Sequence, residues 1–210
     1  MTRRRRIALI VGIAAAVLLV PVAVVAIPIL THTDRGVSVQ DPVEEWPLAV
    51  TAEGDDGRTR ELTVASDDSD VAIDTSALAE GDRLVVSGSG YDASQGIYVA
   101  ICVIPSSPEE KPGPCLGGVP SGDSSSTPGA IDFAPSTWVN DDWAWKLFGA
   151  RGYDDAATGD FTAYLEVPPP VGEGIDCTAS KCAIYTRNDH TALRDRVQDV
   201  YLPVRFSPTR

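Results

Sequence analysis

Cys177 and Cys182 stand five positions apart in the stretch IDCTASKCAIYTRNDH, with His190 eight residues further on. Three chemistries use such a group: a metal site, a reactive thiol pair, or a disulfide bracing a turn. Zinc favours a C-x-x-C spacing and two further ligands, which only His190 and the distant cysteines offer. A redox pair favours two intervening residues at a helix start, whereas this pair has four and sits among strand signals. The chain holds four cysteines, Cys102, Cys115, Cys177 and Cys182. If all are exported they pair most simply as two disulfides, with three connectivities open. Local pairing is geometrically easy, because Cys102 and Cys115 flank a Pro/Gly-rich loop and Cys177 and Cys182 flank a short turn. Each bridge is worth ~2 to 3 kcal/mol in the chain-entropy account.

His190 is also the histidine open to a Ser-His-Asp arrangement, since His32 lies in a charged, irregular stretch near the N-terminus. Asp189, Asp195 and Asp199 are close in sequence, but no G-x-S-x-G elbow occurs, and Arg187, Arg194 and Arg196 surround the histidine with positive charge. The simpler expectation is that Arg187, Asp189, His190, Arg194 and Asp195 tie a long loop into an ion network. The acidic runs at 67–70 and 140–142 do not fit a calcium-loop spacing, and no P-loop or dinucleotide fingerprint is present. These readings point to a protein that is not an enzyme and needs no cofactor or metal.

Aromatic chemistry is concentrated in STWVNDDWAWKLFGARGYDD, residues 136–155. Trp138, Trp143, Trp145, Phe148 and Tyr153 fall within 16 positions there, interleaved with Asn140, Asp141 and Asp142. Plain core packing in a wide hairpin accounts for one or two. The rest suggest a cleft or a partner surface, with Arg187 and His190 as candidates for a further wall.

These residues need elements to hold them. The chain opens with Arg3 to Arg6 and then runs through 24 uncharged residues, 7–30. Such a stretch can cross roughly 30 Å of hydrocarbon, with the arginines on the cytoplasmic side. A cleaved signal peptide ending near Ala26, with Pro21 breaking the helix upstream, competes with a retained single-pass anchor; length favours the anchor. Both readings place the rest outside the cytoplasm, either membrane-bound or secreted. Beyond Leu30, thirteen basic residues face 30 acidic ones, a net charge of −17. That charge opposes direct binding of nucleic acid and keeps an exported domain soluble. Residues 31–58 mix charges, prolines and glycines without a period and read as a stalk, with one short strand at PLAVTA. Three Lys against 14 Arg, with abundant Ala, Val, Asp and Gly, suggest a high-GC bacterial genome.

From residue 59 the pattern is β. RELTVAS, DRLVVSGSG, GIYVAICVI, GDFTAYLEV, KCAIYTR and DVYLPVRF are short, apolar or alternating runs bounded by Gly, Pro, Asp or Ser. Residues 104–129, with six Pro and five Gly, form a long loop. Helical spacing surfaces only weakly, in DHTALRDRVQD. Residues 59–210 therefore read as an all-β sandwich or barrel.

The order of features resembles the neocarzinostatin-type apoproteins, small secreted actinobacterial proteins. The resemblance rests on LVVSGSGY, on Y-x-x-x-C from Tyr98 to Cys102, on a second cysteine after a loop, and on D-C-T-x-x-x-C from Asp176 to Cys182. It covers about residues 60–207, and the last motif is its most specific part. It implies a seven-stranded immunoglobulin-like β-sandwich with bridges Cys102–Cys115 and Cys177–Cys182. It also implies a cleft for a hydrophobic ligand between the sandwich and a smaller β-ribbon. The longer, proline-rich first cysteine loop, the tryptophan segment, the charged final loop and the apolar N-terminus depart from the family. The expectation is thus an extracytoplasmic binding domain for a small apolar or aromatic molecule. The alternative is a structural or protein-interaction module of the cell envelope with no small ligand.

Overall fold

The computed structural model describes residues 3–41, 45–68, 70–118 and 131–207. The chain divides into two compact units, Met1–Thr33 and Asp34–Arg210. The first is one helix, α1 (Arg3–Thr31), whose stretch Ile10–Thr31 is long and apolar enough to cross a membrane. It runs through Pro21, where the sequence suggests a break. A proline removes one backbone bond, and the unbroken apolar run on both sides sustains the others.

The second unit is mostly β. Its strands are β1 (Ser38–Gln40), β2 (Ala49–Gly54), β3 (Thr59–Ser66), β4 (Arg83–Ser89), β5 (Ile97–Val103), β6 (Ser136–Val139), β7 (Phe161–Glu166), β8 (Val171–Gly172), β9 (Ile175–Asp176), β10 (Cys182–Asn188) and β11 (Val200–Val204). A short helix, α2 (Trp143–Lys146), follows β6. The strands form a five-stranded sheet in the order β1-β2-β3-β4-β7, a four-stranded sheet in the order β11-β10-β5-β6, and the ribbon β8-β9. Every pairing among the named strands is antiparallel.

Period-two alternation builds the core. Leu62, Val64, Leu84, Val86, Phe161 and Leu165 of the first sheet join Ile97, Val99, Ile101, Ile184, Val200 and Leu202 of the second in one buried cluster. The two sheets therefore share a single core, and the six runs expected as strands are all present. The apolar loop residues Leu78, Tyr91 and Phe206 seal its edges.

Two expectations change. Residues 31–58 are more than a stalk: the strand expected at PLAVTA is present as β2, and β1 pairs with it to extend the first sheet. Their pattern is weak because little of it faces the core; Ala52 is the fully buried apolar residue of β2. Polar bonds do the rest. The Gln40 side chain donates to the Tyr201 carbonyl at 2.8 Å and accepts from the Tyr201 amide at 3.0 Å, capping the edge of β11 as a strand would. The stretch DHTALRDRVQD is not helical either. Asp189 accepts from the Thr191 amide and Asp195 from the Val197 amide, so local side-chain bonds replace helix bonds. Residues 119–130 of the long loop lie outside the described residues.

Strand direction sorts the connections. The start of the domain at Asp34–Val37, the β2–β3 turn, and the β4–β5, β6–β7 and β10–β11 connections gather at one end. The registers Ser38 with Gly54, Glu61 with Ser89, Gly88 with Phe161, Ile97 with Val139 and Ile97 with Asn188 fix this. The disulfides and residues 104–118 of the proline-rich loop lie toward the other end.

Candidate functional site

The outer face of the four-stranded sheet carries the residues singled out in the sequence. On β5, Tyr98, Ala100 and Cys102 alternate with core-facing residues; Ala183, Tyr185 and Arg187 do so on β10, Tyr201 on β11 and Trp138 on β6. Two regions form on this face.

The first is an aromatic cluster near the end where the domain begins. Trp138 packs 5.9 Å from Tyr98, 5.6 Å from Trp145 and 5.3 Å from His190, centroid to centroid. Trp145 meets His190 edge-on at 4.6 Å and Phe148 at 6.3 Å. The Tyr98 hydroxyl lies 2.9 Å from His190 Nδ1. Burial, aided by the nearby Asp189 charge, raises this phenol to about 12, so Tyr98 keeps its proton. Beneath the cluster sits Asp189, fully buried. One carboxylate oxygen accepts from Trp138 Nε1 at 2.8 Å and Asn140 Nδ2 at 2.9 Å; the other accepts from the Thr191 amide and hydroxyl at 2.8 and 2.5 Å. A Cβ at Gly96 would collide with that carboxylate and with Asn140, which explains a glycine there.

This cluster differs from the expected cleft. Trp138, Trp145, Phe148 and His190 do come together, and Arg187 stacks over Tyr98 at 5.8 Å. Tyr153 does not join them. It is buried in the core against Phe161, with its hydroxyl donating to the Gln95 carbonyl at 3.0 Å. Trp143 and Phe148 point outward, 62% and 64% exposed. The Asp142 N-cap starts α2 by accepting from the Ala144 amide, and the turn leaves apolar side chains on both sides of Lys146 facing water. The expected ion network exists with different partners. Arg35 bonds both Asp92 and Asp195, and Arg196 pairs with Asp199 at 2.9 Å. Arg187 donates to the Pro112 carbonyl at 2.9 Å.

The second region is a groove of about 230 Å³ on the same face. Its residues include Tyr185, Tyr201, Ile104, Pro105, Pro108 and Asp199, with β1 along one side. The small residues Ala100 and Ala183 lower the sheet surface, and the Cys102–Cys115 bridge packs into the space with Tyr185. Tyr185 and Tyr201 stack at 5.0 Å and 24°. Asp199 is buried; one carboxylate oxygen bonds Arg196, and the other, Oδ1, has no protein partner. Burial pushes this carboxyl up to about 7, against the opposing pull of Arg196 and Arg187. Arg187 Nε is likewise buried without a partner. None of this groove could be read from the sequence, since its walls come from β1, the proline-rich loop and three strands. The one signal was the pair of tyrosines on outward positions of strands otherwise flanked by small residues.

Both disulfides form as the resemblance implied, Cys102 with Cys115 and Cys177 with Cys182. The second braces the turn between β9 and β10, where Asp176 accepts from the Thr178 amide. Among the described residues no cluster of three or more His, Cys, Asp and Glu is placed to hold a metal ion.

No family model matches the chain, and no solved structure matches it. Over 142 residues it is 28% identical to thiamine biosynthesis protein X of Corynebacterium glutamicum; the match covers 67% of this chain and 64% of that protein. The chain thus matches less than two thirds of that relative's length.

Proposed function

We propose that this protein is a non-enzymatic binding domain outside the cytoplasm, held at the membrane by its N-terminal helix. It takes a small, partly aromatic molecule in the groove over Tyr185 and Tyr201. The observation that carries this reading is the buried Asp199 Oδ1, a strong acceptor without a protein partner in the wall of an apolar, tyrosine-floored groove. A flat ring would stack on the tyrosines while a donor group reaches Asp199.

An immunoglobulin-like architecture of the neocarzinostatin type fits the strand order. β3, β4 and β7 against β11, β10, β5 and β6 make the seven strands that the resemblance calls for, and β1 and β2 are additions. The two bridges are those that the resemblance implies, Cys102–Cys115 and Cys177–Cys182. A catalytic reading has less support, because the groups that would do chemistry are already engaged. His190 Nδ1 is paired with Tyr98, and the Asp189 carboxylate accepts four bonds.

Native mass spectrometry of the full chain, extracted from the cells that make it, tests this directly. A co-purified small molecule that is lost on Tyr201→Ala or Asp199→Asn supports the groove. A molecule retained by both variants but lost on Trp143→Ala with Trp145→Ala would move the site to the aromatic cluster. No co-purified molecule would favour an envelope interaction module, the reading to which exposed Trp143 and Phe148 lend weight.

A further inference from the structure

We infer that the groove over Tyr185 and Tyr201 takes an uncharged, flat molecule by an N–H edge that Asp199 accepts, and that acid releases it; this deepens the groove reading above and rests on it. The floor selects for shape. Tyr185 and Tyr201 are partners on β10 and β11 and stack at 5.0 Å and 24°, a surface on which a further ring can stack. Burial raises the Tyr185 phenol above its ordinary value, so this part of the floor is uncharged at neutral pH. At about 230 Å³ the groove suits a single substituted ring.

The wall selects for charge. Thr186 pairs with Val200, which sets Arg187 across from Asp199 on the outer face. Asp199 Oδ2 accepts from Arg196 Nη1, while Oδ1 is closed to solvent and has no protein partner. An acceptor that water does not reach favours a donor that sheds its hydration cheaply. An amide or ring N–H does so; an ammonium does not. Cations are also already gathered here. Arg196 and Arg187 both act on the Asp199 carboxyl, and burial together with those two guanidiniums lowers the Lys111 ammonium. A cationic ligand would add a fourth positive charge. A ligand carboxylate would meet Asp199 in the wall and exposed Glu110 along the groove, and would offer Oδ1 no hydrogen. An uncharged N–H satisfies the acceptor without either penalty.

The same bond makes binding sensitive to pH. Burial raises the Asp199 carboxyl to about 7, and an N–H bonded to Oδ1 favours the ionised form. Binding therefore expels the proton when the carboxyl carries one, and affinity falls about tenfold per pH unit once the pH is well below that value. Beside the floor tyrosines, the titratable and charged groups set around Asp199 and the groove are few. They are Arg187 of β10, Arg196 before β11, Lys111 and Glu110 of the proline-rich loop, and Tyr91 of the β4–β5 connection. β1 brings no charge. The domain thus holds its ligand at neutral pH and gives it up in acid.

The test uses the full chain in nanodiscs, with fluorotyrosine in place of tyrosine, and four one-ring probes. Benzamide is uncharged and has the N–H; methyl benzoate is uncharged and lacks it; benzamidinium and benzoate carry opposite charges. Fluorine signals of Tyr185 and Tyr201, assigned through Tyr185→Phe and Tyr201→Phe, report the groove and not the lipid. At about pH 8 benzamide should bind about tenfold or more tightly than each of the others. Between about pH 8 and about pH 6 its affinity should fall about tenfold, and Asp199→Asn should remove that slope. Another probe that matches benzamide, or a benzamide affinity that holds or rises toward acid, overturns the inference while leaving the groove reading intact. So does a slope that survives Asp199→Asn. Ranking and slope are read in the parent chain, so both stand if the variant fails to fold. Probes that shift neither tyrosine overturn the groove reading and this inference together.

Discussion

The indole N–H of Trp138 donates to the carboxylate of Asp189 at 2.8 Å, with both residues buried on the outer side of the four-stranded sheet. A charged acceptor with no solvent contact is stable here because four donors converge on it. The bond joins β6 to the β10–β11 connection and so holds Trp145 and His190 in place above it. The aromatic segment is thus supported by one carboxylate, and its exposed tip is built on a rigid base.

Asp189→Ala should therefore cost about 3 to 5 kcal/mol, because it strands several buried donors at once. Asp189→Asn should cost about half as much, since one acceptor oxygen survives. Gly96→Ala should resemble the alanine variant, because its new methyl displaces the same carboxylate. Urea denaturation followed by tryptophan emission measures all three. A loss below about 1 kcal/mol for Asp189→Ala would mean that the donors find water instead.

A second buried charge lies at the same end of the domain. Arg60 of β3 is fully buried and pairs with Asp56 through two bonds, at 2.6 and 3.1 Å, with its guanidinium 5.9 Å from the Tyr91 ring. Burial favours the neutral acid at Asp56, but the bonds from Arg60 outweigh it and hold the carboxyl below its ordinary range. Asp56→Ala, which leaves the arginine buried and unpaired, should cost about 3 to 5 kcal/mol. Replacing both residues, as Arg60→Met with Asp56→Ala, should recover most of that loss. Chemical denaturation of the two variants separates a broken pair from a needed one.

Much of this was legible in the sequence, and what was not has a physical cause. The strands at 59–66, 97–103 and 182–188 announced themselves because their alternate residues are buried. The strand at PLAVTA is present as β2, but β1 did not announce itself, because Gln40 and Ser38 hold it by side-chain bonds to Tyr201 and Val197, which leave no apolar period. Tyr153 was grouped with the cluster aromatics because composition cannot tell an aromatic on a core-facing position from one on the outer face. The groove needed tertiary structure. Its chemically distinctive member, Asp199, looked in sequence like any of the other surface carboxylates around it.

The disulfides should differ in value. The bridge Cys102–Cys115 closes a span of 13 residues and Cys177–Cys182 one of five. In the chain-entropy account, removing the first by paired serine substitutions costs about 3 kcal/mol and the second about 2. Removal of the first should also weaken any groove ligand, because that bridge packs beside Tyr185. Intact mass should rise by about four hydrogens on full reduction. An unchanged mass would contradict both bridges.

Asp199 gives the domain a particular dependence on pH. Burial raises its carboxyl from 3.8 to about 7, in spite of Arg196 and Arg187. In the unfolded chain it ionises at the ordinary value. Between those two values the folded protein binds more protons than the unfolded one, so stability falls as pH rises from about 4 to about 7. Asp92 acts in the opposite sense and at lower pH. Burial raises its carboxyl, but the bonds from Arg35 and Ser94 prevail and hold it to about 2. Its contribution is present above about 4 and is lost as pH falls toward 2. Maximal stability is therefore expected near pH 4 to 5, at the crossing of the two effects. Asp199→Asn should remove the decline above that point, leaving a melting temperature that is nearly flat from pH 5 to about 8 while the parent's falls. Circular dichroism melts of the two proteins across that range decide it. Parallel curves would mean that the Asp199 carboxyl is ionised in the folded protein throughout, and a groove ligand would then meet a full negative charge.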